Sequence, residues 1–435
     1  MKLLNLGRSL VRGGHKDVNE QSKIIDACAR IVLDSRGDET IEIEVRTAKG
    51  LGRAAAPAGK SRGIKEVVPY PPGGVKESLE IFKRIIRQRL IGLDASEQEL
   101  IDSMLKEVDG TDRFEKIGGN LAYAISLATA LAASAGLGKP LYEFLNPNAS
   151  VIPLPLGNVL GGGKHAGKGA PDIQEMLTVP LNPKTPFDAI MANALVHKEL
   201  GKILQKKLPN FPLGKGDEGA YAPNMRIHEA LESVVEAANR VSEMTGIKLG
   251  VGIDVAASSL WDEKRKCYVY ENEGKHMTRD EHISYIISLI REFNLVYVED
   301  PVEEYDFEGF REVLKVVPNI LVCADDLVVT NATLIKKAGE IGAVNAVIIK
   351  PNQVGTLTDT RDACKVAQEH GMVTVASHRS GETPEGHLAH IAVGLGCKLI
   401  KSGVVGGERV AKANELLRIG ENLGSKLKMA TLGGG

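Results

Sequence analysis

Along the second half of the chain, short apolar runs recur, and each ends on a polar or charged residue. Gly250-Val251-Gly252-Ile253 runs into Asp254, Leu295-Val296-Tyr297-Val298 into Glu299, and Ile320 to Ala324 into Asp325. Val344 to Ile349 runs into Lys350, Met372 to Ser377 into His378, and Lys398-Leu399-Ile400 into Lys401. Such runs read as strands buried on both faces, and amphipathic stretches such as Ile283 to Phe293 read as the helices between them. After the first gap the ends fall roughly 25 residues apart, the length of one strand-plus-helix unit of a (β/α)8 barrel. A barrel is therefore expected over residues 149–435. A doubly wound sheet is the other arrangement this pattern allows.

The first part of the chain has a different rhythm. Thr40-Ile41-Glu42-Ile43-Glu44-Val45 alternates as a half-buried strand does, and Asp34-Ser35-Arg36-Gly37-Asp38 supplies a turn before it. The stretch from Gly50 to Gly74 is rich in Gly, Ala and Pro and reads as a loop. Helical patterns follow at Val75 to Ile91, Ser96 to Asp109 and Asn120 to Ala135. These imply a smaller α+β domain over 23–148, with the boundary near Asn146-Pro147-Asn148. Residues 1–22 form an N-terminal extension. Up to Lys16 it carries Lys2, Arg8, Arg12 and Lys16 and no acid, so it reads as a frayed extension or as an organellar targeting peptide.

In a barrel of this kind all C-terminal strand ends meet at one mouth. Asp254, Glu299 and Asp325 should therefore converge, and three carboxylates on one small surface repel unless a cation lies among them. All-oxygen ligation suits a hard ion, magnesium first. Lys350 and Lys401 close two later strands of the same mouth. A lysine crowded by another cation and a metal tends to lose its proton and can act as a general base. The plainer reading of each residue is a helix cap, a solvated turn or a structural ion pair. The stretch Ser377-His378-Arg379-Ser380-Gly381-Glu382-Thr383 adds an imidazole, a hydroxyl and a guanidinium fork suited to carboxylate or phosphate. Two glycine-rich loops, Gly161 to Gly167 and Gly214 to Gly219, bring His165, Asp217 and Glu218, the second loop read as flexible; Gln174 and Glu175 follow the first. Metal, carboxylic acid and lysine together describe removal of a proton next to a carboxylate.

Composition narrows the classes. A net charge of -2 over 435 residues and only 4% aromatics give no surface for nucleic acid. Leu121 to Gly138 is uncharged but dominated by small residues, so a buried Ala-rich helix is expected rather than a membrane span. Five widely spaced cysteines with no CxxC fit neither a disulfide framework nor zinc, and imply a reducing cytoplasm.

The sequence resembles the enolase (phosphopyruvate hydratase) family, in a somewhat divergent, archaeal-like form, from about Ile24 to Leu423. The resemblance rests on Leu33-Asp34-Ser35-Arg36-Gly37, Lys164-His165-Ala166-Gly167, Gly216-Asp217-Glu218-Gly219, Val298-Glu299-Asp300-Pro301, Asp325-Asp326-Leu327 with Thr330-Asn331, Lys350 with Asn352-Gln353 and Gly355-Thr356-Leu357, and the Ser377 to Thr383 stretch. It implies an enolase-type (β/α)8 barrel behind the α+β domain, and reversible dehydration of 2-phosphoglycerate to phosphoenolpyruvate. Lysine bases working with magnesium are a known feature of that superfamily.

The resemblance also implies roles. Asp254, Glu299 and Asp325 would hold one magnesium, and Ser61 would help hold a second that arrives with substrate. Lys350 would take the C2 proton, and Glu218 would assist departure of the C3 hydroxyl, supported by Glu175. Lys401 would face the substrate carboxylate, Arg379 and Ser380 the phosphate, and His165, Gln174 and His378 would line the pocket. A cytoplasmic homodimer or larger ring is implied as well, acting on a small phosphorylated hydroxy acid.

The chain departs from the family in its lid, Pro57-Ala58-Gly59-Lys60-Ser61-Arg62-Gly63, and in the Pro-rich segment after it. It departs again at Pro384-Glu385-Gly386 and at Gly403 to Arg409. These differences leave open a relative acting on another phosphorylated hydroxy acid, or a non-catalytic scaffold. Gly59-Lys60-Ser61 imitates the end of a phosphate-binding loop, but Pro69, Pro71 and Pro72 deny it the helix such a loop needs.

Overall fold

The computed structural model describes residues 21–60 and 62–432. The N-terminal extension before Gln21 and Ser61, the lid residue expected to bind metal, lie outside the described residues.

Three antiparallel strands open the described chain: β1 (Ile24–Leu33), β2 (Glu39–Thr47) and β3 (Leu51–Ala55). The alternation in β2 puts Ile41, Ile43 and Val45 on the buried face. That face packs on the helices α1 (Gly74–Ile81) and α2 (Gly119–Gly136). The uncharged Ala-rich stretch is α2, and it is buried along nearly its whole length. Its small side chains let the sheet come very close: a Cβ added at Gly52 would lie 1.9 Å from the Ala128 carbonyl oxygen. No helix among the described residues is long and apolar enough to cross a membrane.

Eight further strands close a barrel: β4 (Leu154–Gly161), β5 (Glu175–Pro180), β6 (Leu249–Asp254), β7 (Tyr297–Glu299), β8 (Leu321–Ala324), β9 (Ala346–Ile349), β10 (Val373–Ser377) and β11 (Leu399–Lys401). Side chains such as Leu156, Leu177, Tyr297, Ile348, Val375 and Leu399 fill the interior. Their neighbours along each strand, such as Val347 and Ile349, face the surrounding helices. This two-sided burial is why the strands read as unbroken apolar runs.

One strand departs from the uniform parallel order. β5 pairs antiparallel with both β4 and β6. It follows β4 through a loop with no intervening α-helix, and the two helices α3 (Pro186–Lys207) and α4 (Ile227–Thr245) then precede β6. From β6 onward each strand is followed by a helix and pairs parallel with the next. The long first gap in the sequence rhythm, from Asp254 to Glu299, holds a small three-stranded sheet (Trp261–Asp262, Cys267–Tyr270 and Lys275–Met277) ahead of the helix Arg279–Glu292. The reversal has a functional result: β5 delivers its first residue, Glu175, to the mouth where the other strands deliver their last.

Candidate active site

Strand register fixes the first contacts. Glu299 pairs across the sheet with Asp254, Glu175 with Asp254, and Ser377 with Lys401. Lys401 reaches across the barrel into the acidic group. Its Nζ lies 2.9 Å from both Asp254 Oδ2 and Glu299 Oε2, and 3.2 Å from Glu175 Oε2. Lys350 pairs with Asp325. Both lysines are held as cations: burial opposes their charge, but the carboxylates around them outweigh it and move both above the usual lysine range. The sequence reading has a lysine crowded by another cation and a metal; of these, Lys350 has the neighbouring cations, Arg379 and Lys401, whose charges act to lower it.

Asp325 lies one residue past the end of β8, and its closest acidic companions are Asp300 and Asp326. Asp300 accepts the backbone N–H groups of Asp325 and Asp326, at 2.8 and 2.9 Å. Burial and the neighbouring aspartates push Asp300 and Asp326 well above the usual carboxylate range. Gln353 donates to Asp325 Oδ1 at 2.8 Å, and Thr330 donates to Gln353 Oε1 at 2.6 Å. Asp300 and Thr330 both have positive φ, 41° and 57°, an uncommon conformation for non-glycine residues that is held here at the mouth.

The donor set fits a hard divalent cation. Glu299 Oε1 is buried with no hydrogen-bond partner. Burial and the Asp254 charge push Glu299 up to about 8. Such crowding of carboxylates is what an ion among Asp254, Glu299 and Asp325 would relieve. A prediction arises here. A carboxyl whose folded pKa lies above its unfolded one stabilises the fold at low pH and loses that contribution as pH rises through the folded value. Below about pH 6.5 the depressed imidazoles His378 and His387, each near 4, act in the opposite sense. The metal-free protein should therefore lose thermal stability between about pH 6.5 and 8, and magnesium should stabilise it most at the upper end. A flat melting temperature across that window in chelator would contradict the assignment.

A second group faces the first across the pocket. Glu218 sits on the Gly214 to Gly219 loop, which is pinned rather than loose. The Gly216 N–H donates to the Ala220 carbonyl at 2.9 Å, and the Asp217 N–H donates to the His165 carbonyl at 3.3 Å. Asn158 donates to Glu218 Oε2 at 3.1 Å, and His378 Nε2 lies 3.3 Å from the same oxygen. His165 Nδ1 lies 3.5 Å from Glu175 Oε1 and 3.6 Å from Glu218 Oε1. Burial would raise both acids. His378 and His165 hold Glu218 well below the usual range, whereas Glu175, beside the Glu218 charge, is raised. The two carboxyls are pushed apart, and Glu175 is the member of the pair that takes up a proton more readily. His165, Glu175 and Glu218 also bring ligand atoms within 4.8 Å of one another. Lys401 already supplies a cation beside Glu175, so the group reads as an acid–base set.

Gln174 donates to Asp254 Oδ2 at 3.3 Å. Arg379 forks onto Glu66, at 2.9 and 3.1 Å, and donates to Asn352 Oδ1 at 3.2 Å. Ser380 Oγ accepts the Lys60 backbone N–H at 2.8 Å, and Lys60 Nζ lies 3.4 Å from Asp217. The pocket these residues line also takes in Gly59, Ala256 and Ser377. Glu66 and Asn158 were not singled out in the sequence, and Gln353 and Arg409 were quoted there only within longer stretches, without a role. Glu66 lies three residues past the lid and could have been found there, whereas Asn158 carried no local signal.

A closed barrel whose mouth opposes a lysine–carboxylate cation site to a carboxyl–imidazole acid site defines a lyase that removes a proton beside a carboxylate. The comparisons with known proteins agree with that class. Residues 149–433 match the family model "Enolase, C-terminal TIM barrel domain", and residues 24–145 match "Enolase, N-terminal domain". The chain is 46% identical to an enolase of Methanothermobacter thermautotrophicus over 405 residues, covering 93% of this chain and 97% of the relative. It is 48% identical to an enolase of Pyrobaculum aerophilum, over 94% of this chain and 98% of the relative. For an enolase of Archaeoglobus fulgidus the identity is 47%, over 94% and 100%. The chain belongs to the enolase family.

Proposed function

We infer that this chain carries out the phosphopyruvate hydratase reaction, the reversible dehydration of 2-phosphoglycerate to phosphoenolpyruvate. The observation that carries the reading is that one pocket holds Lys350 and the Glu175–Glu218 pair, with Lys401 bridging Glu175 to Asp254 and Glu299. Lys350 takes the proton from C2. Its resting partner is Asp325, so it becomes a free amine only when the Asp325 charge is engaged elsewhere. Arg379 and Lys401, whose charges disfavour its protonated form, then favour that amine. The electron pair left at C2 forms the C2–C3 double bond as the C3–O bond breaks. The hydroxyl leaves as water with a proton from the Glu175–Glu218 pair, Glu218 facing it and Glu175, whose pKa is raised, supporting it. Lys401 holds the substrate carboxylate. Arg379 and Ser380 hold the phosphate, and His165, Gln174 and His378 shape the pocket. Magnesium, which the family implies, would be held by Asp254, Glu299 and Asp325 and would supply positive charge where the substrate carboxylate becomes doubly negative.

A second ion beside Ser61, a homodimer and a cytoplasmic setting belong to the same reading. The five cysteines are free thiols, in keeping with a reducing compartment. The test is direct. Purified protein mixed with 2-phosphoglycerate should form phosphoenolpyruvate with magnesium present and stop when a chelator is added. A folded protein that binds magnesium yet leaves 2-phosphoglycerate unchanged would overturn the reading.

A further inference from the structure

We propose that Arg409 is a positioning residue for the acid side of the site, its buried guanidinium fixing the tautomer of His378 and thereby the donor that His378 presents to Glu218. Arg409 lies in the first turn of the helix Gly407–Leu423, and its side chain is fully buried. Nη1 is 2.7 Å from His378 Nδ1 and 2.7 Å from the Arg379 carbonyl oxygen. Nη2 is 2.7 Å from the Ser380 carbonyl oxygen and 3.2 Å from that of Asp217. Nε lies 3.3 Å from Glu408 Oε1.

A guanidinium has five N–H groups and no lone pair to offer. His378 Nδ1 must therefore be the acceptor. The ring is then neutral and carries its one hydrogen on Nε2, the nitrogen 3.3 Å from Glu218 Oε2. The same planar group holds the carbonyls of the two residues after His378 and of the residue before Glu218. One side chain thus fixes both backbones that bring the imidazole and the carboxylate together. The turn Gly403 to Gly406, which departs from the family pattern, delivers it. Gly403 and Gly406 have φ of 72° and 111°, and a Cβ at Gly403 would lie 3.1 Å from Arg409 Cγ.

The inference rests on placing Glu218 on the acid side, and its test separates the two. Protein with 15N-labelled histidine should show His378 as the Nε2–H tautomer. R409Q, whose amide can accept as well as donate, should lose that single tautomer, whereas R409K, still donor-only but without the fork, should keep it in part. R409Q should lower kcat by about 10–100-fold, the usual effect of removing a partner that orients a functional group. KM should change by less than about 3-fold, and R409K should recover part of the loss. In an H378N background the Arg409 substitutions should have little further effect on kcat, because their route runs through the imidazole. An unchanged tautomer in folded R409Q, or an equal loss of kcat in both backgrounds, would overturn the proposal. Normal turnover by E218Q, with the tautomer shift still present, would overturn the placement of Glu218 instead.

Discussion

Lys350→Ala should lower kcat for dehydration of 2-phosphoglycerate by about 10²–10⁴-fold, the range a positioned general base contributes, and leave the fold standing. The size follows from where Lys350 sits. Its ammonium pairs with Asp325, its backbone N–H donates to Thr330 Oγ1 at 2.9 Å, and the next residues begin a short helix at Pro351. The side chain is held at one spot, and no other amine among the described residues approaches Asp325 as an ion-pair partner. Truncation removes a cation from an acidic pocket, so magnesium affinity should hold or rise. The decisive readout is exchange of the C2 hydrogen of 2-phosphoglycerate with solvent deuterium. K350A should lose exchange along with dehydration. E218Q should lose dehydration and keep exchange, because proton removal and hydroxyl departure are assigned to opposite sides of the pocket. Exchange that survives in K350A would assign the base elsewhere.

Lys412→Met should destabilise the protein by about 3–5 kcal/mol, the typical result of removing one partner of a buried ion pair. Lys412 is almost fully buried. It pairs with Glu382 and donates to the carbonyls of Thr383 and Glu385, at 2.7 and 2.9 Å. Burial alone would raise Glu382, but the Lys412 charge outweighs it and holds the carboxylate below its usual range. With the lysine gone, a buried carboxylate and two carbonyls lose their donor together. The double variant K412M/E382Q should recover part of the loss, since no charge is then left uncompensated. KM for 2-phosphoglycerate should rise as well. Gly381, next to Glu382, exchanges backbone hydrogen bonds of 2.8 Å with Ala58 of the lid. Chemical unfolding monitored by circular dichroism, with steady-state kinetics alongside, checks both parts. An unfolding midpoint equal to that of the parent would show that Glu382 has another partner.

The depth to which the sequence was legible varies along the chain. The ends of β6 to β11 were readable because each strand is short, apolar on both faces and stopped by a functional residue. Those ends carry Asp254, Glu299, Asp325, Lys350, His378 and Lys401, and the structure brings all of them to one pocket or its wall. The reversed strand β5 was not readable. Met176-Leu177-Thr178-Val179 is as apolar as its parallel neighbours, and strand direction leaves no mark on composition. The clustering of Asp325 with Asp300 and Asp326 also escaped, because their approach depends on the positive φ of Asp300 rather than on strand periodicity.

The sequence by itself determined the succession of strand-and-helix units, the α+β unit before them and the chemical types at the strand ends, since periodicity and residue chemistry are local properties. Tertiary structure decided the rest. It engaged Lys350 with Asp325 and Lys401 with Asp254, Glu299 and Glu175, so that both lysines rest as cations. It set Glu218 below and Glu175 above the ordinary carboxylate range. It also brought Arg409, distant in sequence from Asp217 and Glu218, beneath His378. Charge states and tautomers depend on which groups lie within a few ångströms in a medium of low polarity, and only the folded chain fixes those neighbours.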